Sequence, residues 1–166
     1  VHLYNPLVSV VPFASLHGAS AADLMGLGGI TVLANNNFVV SSPGGANNVG
    51  TVQLIDGSIG TQIGPTLAGD NVGDPLARSG ITVLGNGNYV VSSRTDNEGG
   101  VAGVGSVRLL SGVTGVQLVP ALSGDTADDQ LRTAVAAPSH GGFFVVGFST
   151  WNNGSVDGGR VRLIAE

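Results

Sequence analysis

The sequence predicts an all-β protein built from about three four-stranded repeats of roughly fifty residues each. Three observations carry this reading. Four markers recur in one fixed order. Val-x-Leu occurs at Val1/Leu3, Val52/Leu54, Val107/Leu109 and Val161/Leu163. An aromatic followed by Val-Val occurs at Phe38, Tyr89 and Phe144; Leu-x-Gly occurs at Leu16–Gly18, Leu67–Gly69 and Leu122–Gly124; and an aspartate follows each of those leucines, at Asp23, Asp74 and Asp129. Second, glycine supplies 28 of the 166 residues, more than double the usual ~7%, and it clusters with Asn, Ser and Thr between Val/Ile/Leu runs, the signature of short strands and many turns. Third, Gly80–Ser93 reads as a tight hairpin and repeats almost residue for residue at Gly29–Ser42.

Each repeat is predicted to hold four strands. The first is Ile30–Leu33, Ile81–Leu84 and roughly 133–137. The second is Phe38–Ser42, Tyr89–Ser93 and Phe143–Phe148. A variable Gly/Asn loop leads to the third, Thr51–Ile55, Ser106–Leu110 and Arg160–Ile164. A weaker fourth follows, Thr61–Leu67 and Val116–Leu122, with 9–16 at the front of the chain. Asn86-Gly87 suggests a two-residue type I′ turn, which needs φ > 0 at both central residues. Asn35-Asn36-Asn37 fits the same role because Asn tolerates the left-handed region. Pro138–Gly142 is a longer version. The second strand is apolar over consecutive residues and so should be buried on both faces. The third alternates, as in Val107-Arg108-Leu109, which predicts one exposed face. Between 20 and 27 at most a short helical turn is expected. The units divide at about 1–28, 29–79, 80–132 and 133–166, the first and last partial.

In the order strand, Asn/Gly turn, aromatic-Val-Val-Ser-Ser, Gly/Asn loop, Gly-x-Val-x-Leu, Gly turn, Leu-x-Gly-Asp, the unit resembles the FG-GAP blade of integrin-type β-propellers. It is still more similar to the Asn-Gly-Asn-Tyr-Val-Val-Ser-Ser repeats of large secreted bacterial proteins of the filamentous-haemagglutinin type. Ser149–Gly154 resembles their Ser-Pro-x-Trp-Asp-Asn-Gly loop. The resemblance covers essentially the whole chain and implies β-propeller blades and an extracellular, non-enzymatic role in adhesion or surface structure. It also marks a departure. FG-GAP hairpins hold Ca²⁺ on an Asp-x-Asp-x-Asp-Gly loop, whereas positions 35–37 and 85–88 here carry no carboxylate. Ca²⁺ requires several oxygen ligands, charged ones among them. The hairpins are therefore expected to bind no metal, with Asn serving turn geometry alone. Propellers close with about four to eight blades, and three units leave open edges. A β-solenoid is the alternative architecture.

Composition narrows the function classes. The chain has no cysteine, so disulfides, thiolate metal sites and cysteine nucleophiles are excluded. Its 6 basic residues are all arginine and its net charge is −5. Nucleic acid is a poor partner for such a surface. No apolar run approaches the ~18 residues that span a bilayer as a helix, so no membrane insertion is expected. The chain starts inside a predicted strand without an initiator Met, as a processed product or a segment of something longer would.

Candidate chemistry is sparse. The densest acidic cluster, Asp125, Asp128 and Asp129, is the candidate for Ca²⁺; otherwise these aspartates cap turns, and no cofactor is expected. The histidines His2, His17 and His140 have no metal-ligand spacing. No Gly-x-Ser-x-Gly frames a nucleophile, and the 11 acidic residues suggest no carboxylate pair of glycosidase type, so the chain is not expected to be an enzyme. The variable loops supply binding candidates: Trp151, Asn152, Asn153, Arg94 and Asp96. The expected function is a secreted or cell-surface structural or adhesive repeat protein, part of a surface fibre or adhesin, pairing with neighbouring repeats or with itself through its terminal strands. The alternative is a module that binds a glycan or a surface protein through its loops.

Overall fold

The computed structural model describes residues 1–4, 12–44, 48–73, 75–129, 135–136, 143–151 and 158–165. Their fold is all-β. Strands β1 (His2–Leu3) and β2 (Ala14–Ser15) pair as a two-stranded sheet. Strands β3 (Gly29–Val32), β4 (Phe38–Ser42), β5 (Thr51–Ile55) and β6 (Gln62–Ala68) form an antiparallel sheet in chain order. The next unit repeats it with β7 (Gly80–Val83), β8 (Tyr89–Ser93), β9 (Ser106–Leu110) and β10 (Leu122–Ser123). The last sheet holds β11 (Val135–Ala136), β12 (Phe143–Phe148) and β13 (Arg160–Ala165). Short 3₁₀ turns lie at Ala21–Asp23 and Glu98–Gly100. Each of the two complete sheets follows the predicted strand order, and β4, β5, β8, β9 and β12 have the predicted bounds.

Two elements differ from expectation. The fourth strand of the second complete unit shrinks to Leu122–Ser123 plus a single bridge from Gln117 to Leu110. The first complete unit escapes this because Gly64 takes φ +67°, so β6 shifts register between Val52 and Leu54 and carries Pro65 along an edge. Val119 occupies the position of Gly64 and has no such freedom. The hairpins are also not two-residue I′ turns. The Leu84 N–H bonds to Asn88 O at 2.9 Å and the Gly87 N–H to Leu84 O at 3.1 Å, leaving a three-residue loop in which only Gly87 has positive φ, +87°. Asn36 holds that place in the sister hairpin, at φ +67°. A turn closed by one left-handed residue satisfies the strand twist as a primed turn does.

The sheets stack face to face, and the same positions make each seam. Alternation along the strands gives every unit a forward and a backward face. Val1 and Leu3 project forward from the first sheet onto Phe38, Val40 and Ile55. Val39, Val52 and Leu54 project forward from the second onto Tyr89, Val91 and Leu110. Val90, Val107 and Leu109 project forward from the third onto Phe144, Val146 and Phe148. The aromatic-Val-Val runs of β4 and β8 therefore have both faces covered, as predicted, because the middle valine points to one neighbour and the outer residues to the other; in β12 only the face of Phe144 and Val146 is covered by described residues. Burial pushes the Tyr89 phenol up to about 12. Its neutral form is the one the fold favours, so this contribution is complete below the free phenol's value near 10 and is lost as pH rises through about 12. Urea midpoints measured from pH 8 to 12 should fall across the upper part of that range, and Tyr89→Phe should remove the part of the fall that belongs to this group.

Candidate functional site

The strongest polar constellation lies on a seam. Arg108 stands in the middle of β9, the strand predicted to expose one face, yet it is only 6% exposed and every residue of β9 is buried. Its Nη2 donates to Asp70 Oδ2, to Asp96 Oδ2 at 3.2 Å and to Glu98 Oε2 at 2.8 Å. Asp70 belongs to the connection leaving the preceding sheet, whereas Asp96 and Glu98 come from the loop between β8 and β9. One guanidinium thus ties two units together. Ser106 Oγ also donates to Asp96 Oδ2. Burial opposes the charge of Arg108. The hydrogen bond and charge of Asp70, with the charges of Asp96 and Glu98, outweigh it and hold the group above its ordinary value. Burial raises Glu98, and Asp70 and Asp96 add to that, against the pull of Arg108. Ligand oxygens of Asp70, Asp96 and Glu98 lie within 4.8 Å of one another, as metal ligands would. All three already face the guanidinium, so a metal ion there would have to displace Arg108. Asp96 Oδ1 and Arg108 Nε are buried without a hydrogen bond.

The same clasp recurs one unit later. Asp125 ends the next Leu-x-Gly-Asp as Asp70 ends the first, and Arg162 sits in β13 where Arg108 sits in β9. Asp125 Oδ2 accepts from Arg160 Nη1 at 2.5 Å, lies 3.6 Å from Arg162 Nη2, and accepts from the Trp151 indole N–H at 3.2 Å. The Arg160 guanidinium lies 5.0 Å from the centroid of the Trp151 ring, and Trp151 packs against the core between the last two sheets. At the first seam both partners are missing: Ala19 replaces the aspartate and Gln53 the arginine. A hollow of about 410 Å³, lined by Ala19, Gln53, Thr66 and His17 among others, lies there instead.

The recurrent aspartate has its own role. Asp129, fully buried, accepts from the backbone N–H groups of Asp125 at 2.8 Å and Thr126 at 2.7 Å and from Thr126 Oγ1 at 2.6 Å. Asp23 accepts in the same way from the N–H and hydroxyl of Ser20, bonds that lower its pKa. Glycine precedes each by five residues for a steric reason. A Cβ on Gly124 or Gly18 would lie 2.7 Å from the aspartate Cβ. Asp74 lies outside the described residues. In the predicted Ca²⁺ cluster, Asp125 faces arginines and Asp129 faces N–H donors, while Asp128 sits in the left-handed region at φ +63° with its N–H bonded to Ala102 O at 3.0 Å.

The hairpin asparagines do more than shape turns, contrary to expectation. Asn35 Oδ1 accepts from the Asn37 N–H at 3.1 Å, which is the local role, but its Nδ2 donates to Gly112 O of the next unit at 2.9 Å. Asn88 Oδ1 in turn accepts from the Gly112 N–H at 3.3 Å. Gly112 is required there because a Cβ would lie 1.9 Å from Gly87 O. Asn35→Ala is expected to cost about 1 kcal/mol, the net worth of such bonds, read as a lower urea midpoint at unchanged slope.

Of the loop candidates, Asp96 is buried in the Arg108 clasp rather than displayed, because its carboxylate is the counter-charge of that arginine. Trp151 packs against the core, and Arg94 lines a surface hollow with Arg78, Ser79 and Thr95. Asn152, Asn153 and His140 lie outside the described residues. His2 shares a hydrogen bond of 2.9 Å with Ser15 Oγ. The clasp itself was missed. Its signal was in the sequence: Leu-x-Gly-Asp and Val-Arg-Leu occur together at two seams, and both are absent at the first.

A family model described as a repeat of unknown function (DUF5650) matches residues 32–64 and 83–131. The chain is an all-β repeat protein. The two matched segments begin at the ends of β3 and β7, so the family pattern has the same phase as the structural repeat. No curated protein matches the sequence.

Proposed function

We propose that this all-β repeat protein is a non-enzymatic extracellular scaffold, a run of stacked units that builds a surface fibre or adhesin. The observation that carries this reading is the seam. Valine and leucine of one forward face meet an aromatic and a valine of the next backward face, and two seams add an Asp–Arg clasp. A chain that places its most elaborate polar chemistry between units favours assembly over catalysis. The resemblance to integrin-type and filamentous-haemagglutinin-like repeats supports the same location and the same class of role. Trp151 fits a structural role better than a glycan platform, because its N–H is bonded to Asp125 and Arg160 lies against its ring. Immunogold labelling of intact cells of the source organism, with a strain lacking the gene as control, tests the reading. Label on the surface or on fibres is the expected result. Label confined to the cytosol would overturn it.

A further inference from the structure

The last sheet has a forward face that nothing among the described residues covers. Val161 is 74% exposed and Leu163 67%. They alternate along β13 with Arg162 and Ile164, and Val145 of β12 pairs directly with Leu163. Phe143 pairs with Ala165 and completes the face, which carries no charged side chain. Val145, Val161 and Leu163 stand at the repeat positions of Val39, Val52 and Leu54 in the second sheet and of Val90, Val107 and Leu109 in the third. In both of those sheets the three residues are buried by the next unit. The opposite face of the last sheet is already used, with Phe144, Val146 and Phe148 against the third sheet.

We propose that this face is a docking surface for the backward face of a further unit of the same repeat, a sheet presenting an aromatic and a valine two residues on from its second strand and Leu or Ile from its third. The inference rests on the scaffold reading and names the surface through which the stack continues: it does so by sheet faces, not by pairing of edge strands. The interface would continue the series of three already formed inside the chain. Large exposed apolar faces of this kind mark interaction sites. The occupant is identified by position, since the triad of Val145, Val161 and Leu163 repeats the forward triads that receive Tyr89, Val91 and Leu110 at one seam and Phe144 and Val146 at the next.

The test extends the full chain at its C-terminus with a second copy of residues 56–110, which supplies the fourth-strand segment, the connection and a β7–β9 sheet in phase after β13. Hydrogen exchange over 160–165 is compared with a chain extended by residues 56–68 alone, so that pairing of a fourth strand along the edge of β13 is common to both. Protection is expected to rise by roughly tenfold or more. Leu163→Asp should abolish that rise in the extended chain while changing the melting temperature of the unextended chain little. The appended β8 copy reports its own folding through its amide protection, and Ser92→Thr in that copy serves as a control variant away from the interface. A folded appended unit with no added protection at 160–165 would overturn the proposal. So would sedimentation of the unextended chain as a dimer that Leu163→Asp dissolves, because the face would then belong to a second copy. Neither outcome bears on where the protein resides, which the immunogold experiment decides separately.

Discussion

Arg108→Leu should lower the stability of the chain by about 3–5 kcal/mol, the cost of breaking a buried ion pair from one side. Leucine fills much of the space and suits Val91, its cross-strand pair. The loss comes from the carboxylates. Asp96 is 1% exposed and would lose its counter-charge, leaving Ser106 as the remaining donor to Oδ2 among the described residues. Arg108→Gln should cost nearly as much, even though Gln53 occupies the same repeat position at the first seam, because that seam has Ala19 where the second has Asp70. The double variant Arg108→Gln with Asp96→Asn should recover more than half of the loss, and the non-additivity measures the coupling. Glu98→Gln should change stability by under about 1 kcal/mol, since this carboxylate is partly exposed. Its raised pKa gives the sign of its own pH effect. Stability from this group is complete below the unfolded value near 4.5 and declines as pH rises through the folded value. Guanidinium midpoints are unsuited to this series because the salt screens the pairs; urea melts at low ionic strength separate the variants.

Asp129→Ala should cost at least about 3 kcal/mol. The carboxylate accepts three hydrogen bonds while fully buried, and hydrogen bonds to a charged group are each worth about 1.5–3 kcal/mol. Its removal leaves the N–H groups of Asp125 and Thr126 without that acceptor and frees the segment that aims Asp125 at Arg160. A melt followed by tryptophan fluorescence reads this directly, since Trp151 donates to Asp125. Asp129→Asn should fall between wild type and Ala, because its amide oxygen can still accept. Gly124→Ala should also destabilise: its new Cβ would stand 2.7 Å from Asp129 Cβ and 2.8 Å from Val104 O, with no flexible side-chain end to yield. Combining Gly124→Ala with Asp129→Ala does not relieve that contact, because alanine keeps the Cβ. An apparent rescue in the pair would mean that the segment has moved.

The strand order was readable because it depends on local information. Phe38–Ser42 and Tyr89–Ser93 combine β-branched and aromatic residues with turn residues on one side and a glycine-rich loop on the other, and the structure forms them at those bounds. The hairpin loops were readable as turns but not as turn types. Whether Asn86-Gly87 is the centre of a primed turn or the end of a three-residue loop depends on which strand residues pair across it. The Leu84–Asn88 pair decides that, and it is a product of sheet register. The third strand misled for a related reason. Val107-Arg108-Leu109 alternates as a half-exposed strand does, and an arginine is ordinarily placed in water. Three carboxylates from two loops make its burial tolerable, and only folding brings them to it.

By itself, the sequence determined the repeat, its phase, the four-strand unit and the residues that supply each apolar face, because these follow from periodicity and from the residue types that turns require. The tertiary structure decided how the units meet. It put Asp70 of one unit against Arg108 of the next, sent the amide of Asn35 across to Gly112, and left Val161 and Leu163 open while their counterparts are closed. The division has a physical cause. A strand's local preferences fix which side chains share a face, but charge pairing and face burial depend on what stands opposite, and that is set by the packing of one sheet upon another.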